Sequence, residues 1–205
     1  MICFYFVRHG QTLWNLTGKY QGSTDVPLSE VGEAQAELAA RWFDGKKIDA
    51  IYTSPLVRAR KTAEAIARRH QLEPVIKPEF RELSFGEWEG LTYDEIESRW
   101  PGAIEKLYRA PDELQIEGGE TFVEVEKRTM KGMEDLIAQG DGKTYVIVGH
   151  GASTRTILCG MLELPIRLAW HFCQGNANIS CIHYYGKGQS WMYMLNSQEH
   201  LEGQK

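Results

Sequence analysis

Arg8-His9-Gly10-Gln11-Thr12-Leu13-Trp14-Asn15 stands directly after the apolar run Ile2-Cys3-Phe4-Tyr5-Phe6-Val7. The run is rich in aromatic and β-branched residues and apolar throughout, the pattern of a strand buried on both faces. A strand sends successive side chains to opposite faces. Arg8 and His9 can therefore serve one site only where the strand ends and the backbone turns, and Gly10 marks that turn. A second stretch echoes the first: Tyr145-Val146-Ile147-Val148-Gly149-His150-Gly151. In an open α/β sheet, ligands bind beyond the carboxyl ends of the strands. Two parallel strands of this kind bring His9 and His150 to one crevice.

Between these strands, helix and strand signals alternate. Residues 17–28 form a loop containing Gly18, Gly22 and Pro27, and Ser29 is the N-cap of a helix with Val31, Ala34, Leu38, Trp42 and Phe43 at helical spacing. Gly45 stops it. A short strand over 49–53 precedes a helix to about His70, with Ser54 as its cap, Pro55 at its first position and Ala59, Ala63, Ile66 and Ala67 on its apolar side. Residues 74–84 break the rhythm with Pro74 and Pro78. From Thr92 to about Gln139 the chain reads as helical, divided by Pro101, Pro111 and Gly118-Gly119; the last segment aligns Phe122, Val125, Thr129, Met133, Leu136 and Ile137 on one face. A strand over 144–149 and a helix from about Ala152 follow. Residues 178–185 and 190–195, joined by Gly186-Lys187-Gly188-Gln189, predict a hairpin at the sheet edge. The pattern predicts a three-layer α/β sandwich with a mostly parallel sheet. All 205 residues read as a single domain, and about 85–118 as a helical insertion over the site.

A chain with 42% hydrophobic and 25% charged residues has the composition of a globular protein. A formal net charge of −5 speaks against nucleic acid and anionic membrane as partners, so any anion site is a local basic cluster. Cys3, Cys159, Cys173 and Cys181 lie mostly in apolar segments without C-x-x-C spacing, and read as buried, reduced thiols of a cytoplasmic protein. No stretch approaches the length of a membrane span, and the N-terminal apolar run is too short for a signal peptide. The histidines and cysteines show no metal-ligand spacing, and no metal or cofactor is expected.

Four separated motifs resemble the histidine phosphatase superfamily, in its phosphoglycerate mutase-like branch. They are Arg8-His9-Gly10 through Asn15; Ser54-Pro55-Leu56-Val57-Arg58-Ala59-Arg60-Lys61-Thr62-Ala63; Glu82-Leu83-Ser84-Phe85-Gly86-Glu87-Trp88-Glu89-Gly90; and Gly149-His150-Gly151. They stand in the family's order and span about residues 2–160. An R-H-G triplet alone is a weak signal; four ordered motifs are a specific one.

The resemblance implies a metal-independent phosphomonoesterase working through a phosphohistidine. His9 is the expected nucleophile, since burial among arginines favours the neutral imidazole with a free lone pair. Arg8 and Arg58 are the expected phosphate clamps, because a guanidinium presents a planar fork of donors. Arg58 also falls in the first turn of a helix, where the macrodipole disfavours a cation unless an anion offsets it. His150 would donate to the phosphoryl group, and the amides of the helix from Gly151 would point at it. Glu82 is the expected general acid, with a carboxyl that holds its proton beside a phosphate dianion. Spacing alone leaves Glu87 and Glu89 as rivals, and only the family pattern selects Glu82. Asn15, Gln21 and Gly22 match substrate-contacting positions. Trp88, Arg99, Trp100, Tyr108 and Arg109 are roof side chains available for selecting the alcohol. The implied substrates are small phosphate esters, such as α-ribazole phosphate, phosphoserine or sugar and glycerate phosphates, and a homodimer fits the resemblance. The alternative is the cofactor-dependent phosphoglycerate mutase, an isomerase. A silent phospholigand-binding regulator is disfavoured because no catalytic position is substituted. Mutases of the family carry added loops that close the site, whereas here only about ten polar residues, 196–205, remain for a lid.

Overall fold

β1 (Ile2–Arg8) is the central strand of the computed structural model, which describes residues 1–202. It pairs in parallel with β4 (Thr144–Gly149), which pairs in parallel with β2 (Ala50–Thr53). On its other side β1 pairs antiparallel with β5 (Ile179–Tyr184), followed by β6 (Ser190–Ser197) at the edge. A two-residue strand, β3 (Val75–Ile76), completes the order β3-β2-β4-β1-β5-β6. Sequence pattern did not reveal β3, because two residues between prolines carry no periodicity.

The side-chain alternation of β1 builds both cores. Phe4 and Phe6 join Tyr145, Ile147 and Ile182 against α6 (Phe122–Ile137) and α7 (Gly151–Met161). Val7 joins Ile51, Val146 and Val148 against α2 (Glu30–Trp42) and α3 (Val57–His70). These are the three expected layers. Each buried large apolar side chain contributes roughly 1.5–3 kcal/mol. A third cluster, including Trp88, Ile96, Ile104 and Leu107, lies under α4 (Tyr93–Arg99) and α5 (Ala103–Arg109). Capping boxes from Thr92 and Thr121 start α4 and α6. α1 (Leu13–Leu16) is a single turn capped by Thr12.

Three local expectations need correction. The face that α2 buries is Gly32, Ala36, Ala39 and Ala40, and Val31 is exposed. Small residues win there because α2 packs closely on the Ala-rich α3 and on the turn after β1. A Cβ on Gly32 would lie 1.9 Å from the carbonyl oxygen of Gln11, and one on Gly10 would lie 2.2 Å from that of Gly32. Only two facing glycines permit this approach. Second, Ser54 is not the cap of α3: the helix starts at Val57, and the amide of Val57 donates instead to Asp25 Oδ1 at 2.7 Å. Third, β6 runs to Ser197, and the following turn buries Leu201 rather than forming a loose tail. Gln198 Nε2 and His200 Nε2 bond to the carbonyl oxygens of Asn176 and Ala177. Residues 203–205 of the expected lid lie outside the described residues.

Cys3, Cys159 and Cys181 are buried as expected, whereas Cys173 is exposed in the loop before β5. Cys3 and Cys181 Sγ lie 3.6 Å apart on neighbouring strands, with His183 beside them. No described helix is long and apolar enough to cross a membrane.

Candidate active site

Arg8 and Gly149 are register partners at the ends of β1 and β4, so His9 and His150 emerge side by side. Their ring centroids are 5.2 Å apart. The amide of Gly10 donates to Thr62 Oγ1 at 3.2 Å, which ties the turn to α3. His9 Nδ1 lies 2.6 Å from the carbonyl oxygen of Gly10. A carbonyl only accepts, so Nδ1 carries the proton and Nε2 keeps its lone pair. His9 is almost wholly buried yet lines the crevice. Burial first, then the charges of Arg58 and Arg8, hold its pKa well below the usual histidine value. The imidazole is therefore neutral near pH 7, as the sequence led us to expect.

Arg58 is the second residue of α3 and only 1% exposed. Its Nη1 and Nη2 donate to the carbonyl oxygens of Thr24 (2.8 Å) and Gly22 (2.7 Å). Arg8 Nη1 donates to the carbonyl oxygen of Gln174 at 2.6 Å. The forks are thus partly engaged by loop carbonyls. What remains is telling: Nε of Arg8 and Nε of Arg58 are both buried without a partner. Burial lowers the pKa of both groups, that of Arg58 to about 10. An unpartnered buried donor is costly in an empty protein, and donors converging on one crevice are what an anion binds. The broken macrodipole rule at Arg58 is met in part by Asp25, whose carboxylate caps the same helix end.

Glu82 is 8% exposed and lines the same crevice. Its Oε1 accepts from the amides of Leu83 and Ser153, both at 2.9 Å, and its Oε2 from the amide of Ala152 at 3.1 Å. This corrects one expectation. Two amides at the start of α7 bind the Glu82 carboxylate, and so are not free for a phosphoryl group. Its rivals fall away on geometry. Glu87 is exposed, and Glu89 spends its oxygens on the amides of Ser23, Thr24 and Phe85.

His150 is fully buried, with Nε2 2.7 Å from Ser54 Oγ and Nδ1 without a partner. Burial, then Arg58 and His9, holds its pKa well below the usual value. Ser54 Oγ also accepts from the amide of Leu56 (3.3 Å); in the tautomer in which the Ser54 hydroxyl donates to Nε2, Nδ1–H is a free donor. Asn15 Oδ1 accepts from the Thr12 amide and from Asn176 Nδ2, which leaves the Asn15 amide nitrogen to face the crevice it lines. Gln21 lies beside Thr12 Oγ1 at 2.9 Å, and Gly151 opens α7. Gly22 has φ +53°, and a Cβ there would lie 2.1 Å from Glu89 Oε1, so glycine is required.

The crevice encloses about 350 Å³. Of the roof side chains named from sequence, only Tyr108 lines it. Trp88 is buried in the third core cluster, Trp100 packs on Trp88, and Arg109 pairs with Glu105. Sequence reasoning missed Lys19, Tyr20, Tyr93, Arg155 and Trp170 in the wall. For Arg155 a signal existed: it stands one helical turn after Gly151 on a helix that starts at the site. Glu82 is the single carboxylate in the lining, and it is committed to backbone amides, so the walls offer donors rather than metal ligands.

The sequence profile of the histidine phosphatase superfamily (branch 1) matches residues 4–197. Phosphoserine phosphatase 1 of Hydrogenobacter thermophilus is 32% identical over 183 residues, 89% of this chain and 87% of that protein. A probable phosphoglycerate mutase GpmB of Yersinia pestis is 30% identical over 187 residues, 90% of this chain and 86% of its own length. Among solved structures, mycobacterial glucosyl-3-phosphoglycerate phosphatase complexed with VO3 superposes with a TM-score of 0.90 at 28% identity, covering 96% of this chain and 99% of that one.

Proposed function

This chain belongs to branch 1 of the histidine phosphatase superfamily, and from that membership we infer a phosphatase of small-molecule phosphate monoesters in which His9 takes the phosphoryl group. One observation carries the reading: two buried guanidinium donors without partners, on Arg8 and Arg58, and the unpartnered Nδ1 of His150 stand around a neutral histidine whose Nε2 is free. In the first step Nε2 of His9 attacks phosphorus and the P–O bond to the alcohol breaks, while Glu82 protonates the departing oxygen. In the second, Glu82 accepts a proton from water as that water attacks the phosphohistidine. Nε2 then leaves with its electron pair, and inorganic phosphate is released. Arg8, Arg58 and His150 hold the equatorial oxygens and stabilise the charge of the transition state. Asn15, Gln21, Gly22 and Gly151 bound the phosphoryl and ester ends of the substrate. Residues of about 85–118 act as the insertion that roofs the crevice, and Phe85, Tyr93 and Tyr108 are their side chains in its wall. Four unlinked thiols suit the reducing cytoplasm.

Similarity to a protein named as a mutase supports isomerisation as a second reading. A mutase must shield its phosphohistidine from water while the bound intermediate reorients. Here residues 198–202 pack against the 176–177 backbone, and Tyr93 and Tyr108 at the mouth stay about half exposed. Hydrolysis is favoured. The test is a panel of phosphate esters assayed for released phosphate in the presence of EDTA, including 3-phosphoglycerate with 2,3-bisphosphoglycerate. Phosphate release much faster than formation of 2-phosphoglycerate is expected. Rapid interconversion of the phosphoglycerates without release would make the enzyme a mutase.

A further inference from the structure

The end of β1 opposite Arg8 carries a second cluster of reactive side chains, away from the crevice. Cys3, Cys181 and His183 each offer one donor atom, and the three atoms lie within 4.8 Å of one another. The sheet itself makes this triangle. Cys181 and His183 are two residues apart on β5 and so share a face, and Cys3 on β1 is the antiparallel register partner of His183. No local spacing discloses the set, because Cys3 and Cys181 are 178 residues apart. Both thiols are buried. The His183 imidazole stacks on Tyr193, with ring centroids 4.4 Å apart. Tyr5, the register partner of Cys181, packs its ring on Trp42 and Phe43 and brings its hydroxyl to both thiols. Burial, then the thiols, raises the pKa of Tyr5, so it stays a protonated donor. The hydrogen bond with Cys181 lowers the pKa of Cys3, which marks Cys3 as the first thiol to ionise.

Two uses of a thiol pair compete here, and the spacing separates them. Cys3 and Cys181 sit diagonally across the two strands, where Cα atoms stand about 7–8 Å apart. A disulfide needs them at about 4.4–6.8 Å. A tetrahedral cation with sulfur ligands at about 2.3 Å holds two such sulfurs about 3.8 Å apart. The Sγ atoms of Cys3 and Cys181 are 3.6 Å apart. We propose that Cys3, Cys181 and His183 form a zinc site that clamps β1 to β5, with water as the fourth ligand. Thiolates select Zn²⁺ or Cu⁺ over harder cations, and imidazole suits both. Two thiolates cancel the charge of Zn²⁺, whereas Cu⁺ would leave a net negative charge buried, so Zn²⁺ is the cation that fits. Binding forms two Zn–S bonds and one Zn–N bond, releases two thiol protons to solvent and changes no oxidation state. The Tyr5 hydroxyl then donates to the thiolates and offsets their charge. The site stands independently of the phosphatase reading.

The test uses the whole protein, reduced, stripped of metal with a chelator and desalted. Titration with Co²⁺, read by absorption, should give a thiolate-to-cobalt charge-transfer band and the intense visible bands of tetrahedral coordination, saturating at one Co²⁺ per chain. Added Zn²⁺ should bleach them. Free Zn²⁺ at about a hundredfold excess over its dissociation constant should raise the melting temperature by about 5–11 °C. Cys181→Ala should abolish the charge-transfer band. His183→Gln, at a partly exposed position, should weaken binding by about tenfold or more. Removing the exposed thiol with Cys173→Ser should change neither band nor affinity. A melt of each metal-free variant reports whether it is folded, and His183→Gln carries the test if Cys181→Ala is not. No charge-transfer band in the native protein, an unchanged affinity in His183→Gln, or loss of the band in Cys173→Ser would overturn the proposal.

Discussion

Replacing Glu82 by Gln perturbs both the chemistry and the packing, and the structure separates the two effects. The carboxylate accepts two backbone amides on Oε1 and one on Oε2. Glutamine can place its oxygen at the Oε1 position and keep two of them, but its NH2 then faces the donor of Ala152. One bond is lost and a buried amide is left unsatisfied, a cost of about 1–3 kcal/mol. For a chain of this size that is a drop of about 2–12 °C in melting temperature. The variant also cannot protonate a leaving alkoxide. General acid catalysis contributes ~10²–10⁴-fold, so turnover of an alkyl phosphate should fall by that factor. The loss on p-nitrophenyl phosphate, whose leaving group needs little protonation, should be much smaller. Steady-state rates on both esters and a thermal melt make the measurement. Equal losses on the two esters would refute the acid role and leave Glu82 a brace for the start of α7.

Two further outcomes follow from the histidines. His9 and His150 titrate well below the ~6.5 of an unfolded histidine, so below about pH 6.5 the unfolded chain binds more protons and stability falls as pH falls, by up to ~1.4 kcal/mol per pH unit for each site. Urea midpoints near pH 7 and near pH 5.5 should show this drop, and His150→Asn should make it shallower; an unchanged drop would mean that His150 does not contribute. Ser54→Ala removes the partner of His150 Nε2 at 2.7 Å and should lower kcat about fivefold, the equivalent of ~1 kcal/mol, with little change in KM. An unchanged kcat would detach Ser54 from the alignment of His150.

The sheet and its layers were legible because β1 and β4 are unbroken apolar runs of strand length, each ended by a histidine and a glycine. The pairing of His9 with His150 followed from strand polarity alone. The position of Arg58 in a first turn was legible too, although the turn starts at Val57 rather than after Ser54. What stayed hidden depends on contacts between segments far apart in sequence. The buried face of α2 is set by glycine and alanine, which a hydrophobic pattern underweights. Glu82 binds amides 70 residues away, which no local spacing discloses. The roof misled for the same reason: tryptophan suggests a ligand wall, yet Trp88 serves the core of its own cluster while Tyr93 and Arg155 reach the crevice.

The central claim is that His9 carries the phosphoryl group. The direct measurement is rapid mixing of the native enzyme with a radiolabelled phosphate ester, alkaline quench, and localisation of the label by peptide mapping. The account predicts an alkali-stable, acid-labile phosphoryl group on His9 that forms and decays no more slowly than turnover, and that is absent in His9→Ala. Undiminished labelling in His9→Ala, or label on any other residue in the native enzyme, would contradict it.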